Sequence, residues 1–135
     1  MKLSIIIPCY NEENTIRIIL EKLSKIKNLK TELEIIVVDD GSTDNSLQIL
    51  EENKNLFTVL VKNTSNRGKG YSVKKGLEKS TGEFAFFQDA DLEYDPNDIT
   101  KFLDLIDKFS PDLIIGSRFN YSNYTRSHNF LNKMG

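Results

Sequence analysis

The chain alternates between short, almost continuous runs of aliphatic and aromatic residues and longer stretches in which apolar positions recur every three or four residues. LSIIIP, LEIIVVDD, LFTVLVK, EFAFFQD and DLIIGS are the continuous runs. Their length and their lack of polar alternation predict five strands buried on both faces. The clearest helical period is Ile16, Ile19, Leu20, Leu23 and Ile26. Asn11 precedes it as a cap, with Glu12 and Glu13 in a first turn whose positive end favours them. A second helix is expected from Ser42 or Thr43, carrying Leu47 and Leu50 inward. A third runs from about Gly70 to Ser80 before Gly82 stops it, and a fourth follows Pro96. Strands and helices in strict alternation predict a three-layer α/β/α domain with a mostly parallel sheet and helices on both faces.

In open sheets of this kind ligands bind beyond the carboxyl ends of the strands. The predicted strands end in PCYNEE, DDGSTD, QDADLE and GSRF, and the third leads into NTSNRGKG, so five polar loops converge on one rim. Composition narrows the options further. With 135 residues, 39% hydrophobic and 28% charged, the chain suits one globular domain. A net charge of -2 with lysines interspersed among acids offers no basic field for nucleic acid. One cysteine, Cys9, excludes an internal disulfide, and one Cys with one distant His builds no zinc site, which fits a reducing, cytoplasmic setting. LSIIIPCY is too short to span a membrane and lacks the marks of a signal peptide.

The loop after the fourth run holds the most specific chemistry. FFQDADLEYD sets Asp89, Asp91, Glu93 and Asp95 on alternate positions, and in extended backbone at least the first three would share one side. Two carboxylates about 5 Å apart repel by roughly 3 kcal/mol at an effective dielectric near 20. The cluster therefore requires full solvation, protonation or a cation, and an all-oxygen set suits Mg or Mn. A solvated acidic turn is the plain alternative, but it leaves unexplained why the acids follow directly on a buried strand. In DDGSTD, Gly41 permits a turn and Ser42 to Asp44 read as turn and cap. Two acids at the mouth of a buried strand need donors or a cation, which makes Asp39 a pocket-rim residue. NRGKG lacks the full spacing of a nucleoside-triphosphate loop. Its glycines still allow close backbone approach, and Arg67 and Lys69 bring positive charge near a helix start, against the alternative of a solvated basic turn.

IIIPCYNEE, IIVVDDGSTD, NRGKG, STGEF, FFQDADLEYDP and IIGSRF, in this order and over nearly the whole chain, resemble the family 2 glycosyltransferases of GT-A fold. The branch most similar contains dolichyl-phosphate mannose and polyprenyl-phosphate glucose synthases. The resemblance implies a Rossmann-like GT-A domain, shortened at its C-terminus, with residues 1–135 as its nucleotide-sugar-binding donor part. It implies that Pro8, Tyr10 and Glu12 surround the nucleotide, that Val37 and Asp39 lie beside base and ribose, and that Lys69 reaches the same base. Asp89 and Asp91 look like the DxD pair that joins Mg or Mn to the nucleotide diphosphate, with Ala90 lining the site. Glu93 matches a third ligand position that is often Gln in relatives. Arg118 resembles a basic residue that meets the phosphate of donor or acceptor, and with Asp89 and Asp91 completes the implied catalytic set.

The implied reaction is transfer of a sugar from a UDP- or GDP-linked donor, with inversion. A divalent ion held by carboxylates would stabilise charge on the departing diphosphate. The sequence supplies no general base for a hydroxyl acceptor: His128 reads as exposed and Cys9 as a small buried side chain. A lipid phosphate acceptor, already ionised near neutral pH, needs no such base, and would place the protein at the cytoplasmic face of a membrane. Family members continue past NKMG, so a binding module without turnover is the first alternative. A metal-dependent nucleotidyltransferase is the second. A phosphoacceptor signalling domain would want a Lys where this chain has GSRF. Base, sugar and oligomeric state are left open.

Overall fold

A computed structural model describes residues 1–27 and 30–115. Four strands form one parallel sheet: β1 (Lys2–Cys9), β2 (Glu32–Asp39), β3 (Val59–Lys62) and β4 (Phe84–Phe87), in the order β3-β2-β1-β4. The register pairs Ile5 with Ile35 and Phe86, and Val37 with Leu60. Parallel neighbours require crossovers, which α1 (Ile16–Lys25), α2 (Ser46–Glu52) and α3 (Lys69–Lys79) supply; α4 (Ile99–Phe109) follows β4.

The strand period of two sorts the core into two faces. Leu3, Ile5, Ile7, Ile35 and Val37 face one way and pack with Ile16, Ile19, Leu20 and Leu23 of α1, Leu50 of α2, and Ile99 and Leu103 of α4. Full burial of each such side chain contributes about 1.5–3 kcal/mol, so this cluster dominates the fold's stability. α3 covers the opposite face, against β1, β2 and β3. It approaches closely because Gly76 carries no side chain: a Cβ there would lie 2.4 Å from Cγ2 of Ile6. The three-layer α/β/α arrangement expected from the sequence is the one observed.

Several local expectations are corrected. α1 begins at Ile16, three residues beyond Glu13 and four beyond Glu12, the acids expected in its first turn, and Thr15 instead of Asn11 holds the N-cap position. α2 begins at Ser46, not at Ser42 or Thr43. In both cases the polar residues that would have capped a helix are used between loops. Burial on both faces holds for β1 and most of β2, but β3 is only half-buried and β4 alternates, because both are edge strands among the described residues. Residues 112–115 of the expected fifth strand form no strand, and Leu113 is 72% exposed. The rest of that run, with Arg118 and His128, lies outside the described residues.

Candidate functional site

Because all four strands run the same way, their carboxyl ends open on one rim. The loops there enclose a cleft of about 480 Å³. Pro8, Tyr10 and Glu12 reach it from the end of β1, and Asp40 from the end of β2. Asn66, Gly68, Lys69 and Ser72 border it from the loop and first turn of α3, and Asp89, Ala90, Asp91 and Glu93 from the loop after β4. The residues singled out in the first, third and fourth loops therefore do meet around one space. α3 begins at Lys69, so the positive end of an eleven-residue helix borders the cleft.

The acidic loop gathers its carboxylates differently from an extended strand. Backbone pairing ends when Gln88 N donates to Ile6 O (3.0 Å), and the chain then bends, with Leu92 at φ 63°. Buried Gln88 holds the bend from inside, its amide donating to the carbonyls of Asp89 (3.1 Å) and Tyr94 (3.4 Å). Asp91 Oδ1 accepts from Glu93 N (2.9 Å), closing a tight turn. Asp95 leaves the cluster: it caps the 3-10 turn Pro96–Asp98 by accepting from Asn97 N (3.1 Å) and lies 3.7 Å from Lys22 Nζ. Lys69 Nζ contacts Asp89 Oδ1 across the cleft, so positive charge from the third loop already faces the acids of the fourth.

Asp39 and Asp40 part company at the end of β2. Asp39 shares the parity of Ile35 and Val37 and is turned inside, 1% exposed, beside Cys9. Its Oδ2 accepts from Ser42 N (3.3 Å), and its Oδ1 is buried with no hydrogen-bond partner. Val37 is fully buried in the core. Neither Val37 nor Asp39 lines the cleft; the residue that does is Asp40, which faces the α3 side. Its Oδ1 accepts from Arg67 N (2.9 Å) and Asn63 Nδ2 (2.8 Å), and its Oδ2 from Gly68 N (2.9 Å). Burial pushes the Asp40 carboxyl up, but these donors outweigh it and hold the group below the usual carboxylate range. Gly41 lets the loops meet: it sits at φ 68°, and a Cβ would lie 2.6 Å from the Ser65 backbone.

Cys9 is no nucleophile. Burial first, then the charges of Asp39 and Glu12, push its thiol up to about 12. Arg67 also stays out of the cleft, its guanidinium stacked 4.7 Å over the ring of Tyr71. Asn11, expected as a helix cap, adopts φ 52° and clasps the next loop: its Oδ1 accepts from Thr43 N (2.8 Å) and Asp44 N (3.3 Å). Glu12 N donates to Ser46 Oγ (2.7 Å) and Glu13 N to Asp44 Oδ2 (3.2 Å). DGSTDNS is thus the cradle of NEE, which agrees with a structural reading of Ser42 to Asp44. Sequence reasoning missed Asp40, Gln88 and Thr15. Strand parity was the available signal for Asp40, since it puts Asp40 opposite Val37 and Asp39; nothing local marks the other two.

The donor chemistry of the acid loop suits a hard divalent ion, but only as part of a ligand set. Asp89, Asp91 and Glu93 border one cleft, yet among the described residues no three carboxylates gather closely enough to hold an ion alone. An ion there would take its remaining oxygens from a bound ligand.

The parallel α/β/α sheet with its loops gathered on one rim is the fold of the GT-A glycosyltransferases. The chain belongs to glycosyl transferase family 2, whose family model matches residues 4–132. It is 36% identical over 117 residues to the poly(ribitol-phosphate) beta-N-acetylglucosaminyltransferase TarS of Staphylococcus aureus, covering 85% of this chain and 20% of TarS. The crystal structure of TarS 1-349 with UDP-GlcNAc superposes with a TM-score of 0.70, over 82% of this chain and 32% of that one. The dolichol-phosphate mannosyltransferase of Pyrococcus furiosus is 35% identical over 122 residues, 88% of this chain and 34% of the enzyme. A mannosyltransferase from Pyrobaculum calidifontis, solved with GDP-Man and Mn2+, is 32% identical with a TM-score of 0.55, over 66% of this chain and 27% of that one. The chain thus spans about a fifth to a third of the length of these relatives.

Proposed function

We propose that residues 1–135 form the donor-binding part of an inverting, metal-dependent glycosyltransferase that takes a sugar from a nucleoside-diphosphate donor. The carrying observation is the cleft itself, where Asp89, Asp91 and Glu93 face Lys69 and the N-terminus of α3. The carboxylates outnumber the one lysine, so the charge this arrangement lacks is positive: a Mg or Mn ion held by Asp89 and Asp91 would supply it, and the phosphates of a nucleoside diphosphate would help to ligate that ion while meeting Lys69 and the helix end. Such an ion would act as a Lewis acid toward charge developing on the departing diphosphate. Pro8, Tyr10 and Glu12 would flank the nucleoside, with Asp40 ordering the loop that carries Lys69. In this reading Arg118, outside the described residues, meets a phosphate of donor or acceptor. UDP-GlcNAc bound to TarS and GDP-Man with Mn2+ bound to the Pyrobaculum enzyme support the donor class.

For the acceptor, a polyprenyl or dolichyl phosphate at a membrane surface fits best. The cleft presents carboxylates but no histidine among the described residues, and a phosphate nucleophile needs no proton removed. The name of the Pyrococcus relative supports the same class. No helix among the described residues is long and apolar enough to cross a membrane. Calorimetry of UDP and GDP with and without Mn tests the donor reading: binding should require the metal, and Asp91→Ala should abolish the metal-dependent binding. Metal-independent binding in the unaltered chain would overturn it. Release of nucleoside diphosphate from a nucleotide sugar marks glycosyl transfer, whereas pyrophosphate release would mark nucleotidyl transfer. Binding with no release would identify a nucleotide-sugar-binding module.

A further inference from the structure

Thr15 stands at the N-cap position of α1 but makes no side-chain bond to the helix. A threonine there ordinarily accepts from one of the first free amides of the helix. Here its Oγ1 lies 2.5 Å from the carbonyl oxygen of Ala90 and 2.8 Å from Glu12 Oε2. A hydroxyl has one proton, and the Ala90 carbonyl is its nearest acceptor, with the Glu12 carboxylate beside it as the second. That carbonyl belongs to the peptide joining Ala90 to Asp91, and Ala90 is itself only 4% exposed. The hydroxyl has thus been diverted from its own helix to the middle of the acidic loop, 75 residues away in the chain.

The anchor is firm on its other side. Residues 11–13 are bonded to the β2–α2 loop through Asn11 Oδ1 and Glu13 N and to the first residue of α2 through Glu12 N, so Thr15 hangs the acidic loop on a segment already fixed by a second loop. We infer that Thr15 is the positioning residue of the acidic loop: it holds the Ala90–Asp91 peptide against the start of α1, presenting Asp89 and Asp91 to the cleft without touching any ligand. What the loop binds rests on the function proposed above; the tether does not.

Two variants of the full chain test this. Thr15→Val keeps the shape and removes the hydroxyl, whereas Thr15→Ser keeps the hydroxyl. Hydrogen exchange at residues 89–93 should quicken roughly 10-fold in Thr15→Val, stay near the unaltered rate in Thr15→Ser, and leave the sheet unchanged in both. In calorimetry, Thr15→Val should weaken Mn-dependent binding of UDP or GDP by roughly 10-fold, the scale seen when an outer partner of a metal ligand is lost. Thr15→Ser should retain it. Equal exchange at 89–93 in Thr15→Val and the unaltered chain would overturn the inference, as would equal Mn-dependent affinity. A uniform rise in exchange across α1 and the sheet would also overturn it, marking ordinary destabilisation. If the unaltered chain binds no nucleotide with metal, the proposed function fails and the exchange result alone decides the tether.

Discussion

At the residue scale, the site is governed by which carboxylates have partners. Asp40 is 3% exposed and collects three donors from the loop that leads to Lys69. Replacing it with alanine removes the acceptor and leaves the amides of Arg67 and Gly68 to find water. Hydrogen bonds to a charged group contribute about 1.5–3 kcal/mol, so Asp40→Ala should lower the urea midpoint by that equivalent. Lys69 and Asp89 pose a different case. Their ion pair is partly exposed and worth about 0.2–1 kcal/mol, yet any ion bound by Asp89 must displace it. Lys69→Met is therefore expected to tighten Mn binding without nucleotide by about 1.4- to 5-fold, while weakening nucleotide binding with Mn. Titration by manganese electron resonance would read both effects. The acids of FFQDADLEYD were visible in the sequence, but their counter-charge was not, since Lys69 lies 20 residues upstream and meets Asp89 only through the fold.

At the element scale, the same chain solves a buried-charge problem at the other end of the sheet. Glu34 of β2 is buried, and its carboxylate accepts from Ser4 Oγ (2.6 Å), Thr81 N (2.8 Å) and Thr81 Oγ1 (2.7 Å), with Lys2 Nζ at 3.3 Å. Gly82 N donates to Ser4 Oγ (2.9 Å), so STGEF docks the start of β4 onto β1 and β2. Burial alone would raise the Glu34 pKa; the donors win and lower it to about 2. A carboxyl with a depressed folded pKa stabilises the fold above its unfolded value and loses that contribution as pH falls through the folded value. Stability should therefore decline between about pH 4.5 and 2, by about 3 kcal/mol from this group. Denaturant titrations across that range should show a shallower decline for Glu34→Ala, which starts from lower stability at pH 7. STGEF belongs to the motifs by which the chain resembles its family, and its role here is architectural.

At the scale of the whole molecule, two layers of helix close over one sheet, and a single cluster runs from Leu3 to Leu103. We expect the described residues to unfold as one unit. A nucleotide that binds only the folded chain, at 100 times its dissociation constant with Mn present, should add about 2.7 kcal/mol. A thermal-shift series with UDP, GDP and their sugars, each with and without Mn, reads this directly. A rise with nucleotide and metal together that exceeds the sum of their separate effects is the expected outcome, because neither completes the ligand set alone.

What the sequence determined by itself was the architecture: continuous apolar runs and a 3.6-residue period leave few arrangements other than a parallel sheet between helices, since hydrophobic burial acts on local pattern. It also placed Asp89 and Asp91 just beyond a strand end and Lys69 near a helix start, on the rim where a parallel sheet must gather its loops. Only the tertiary structure decided how polar groups were shared. Asn11, Ser42 and Thr15 each had a plausible local bond to a helix, and each was satisfied instead by a loop distant in the chain. A hydrogen bond is short-ranged and indifferent to sequence separation, so its partner is settled when the strands have already brought the loops together.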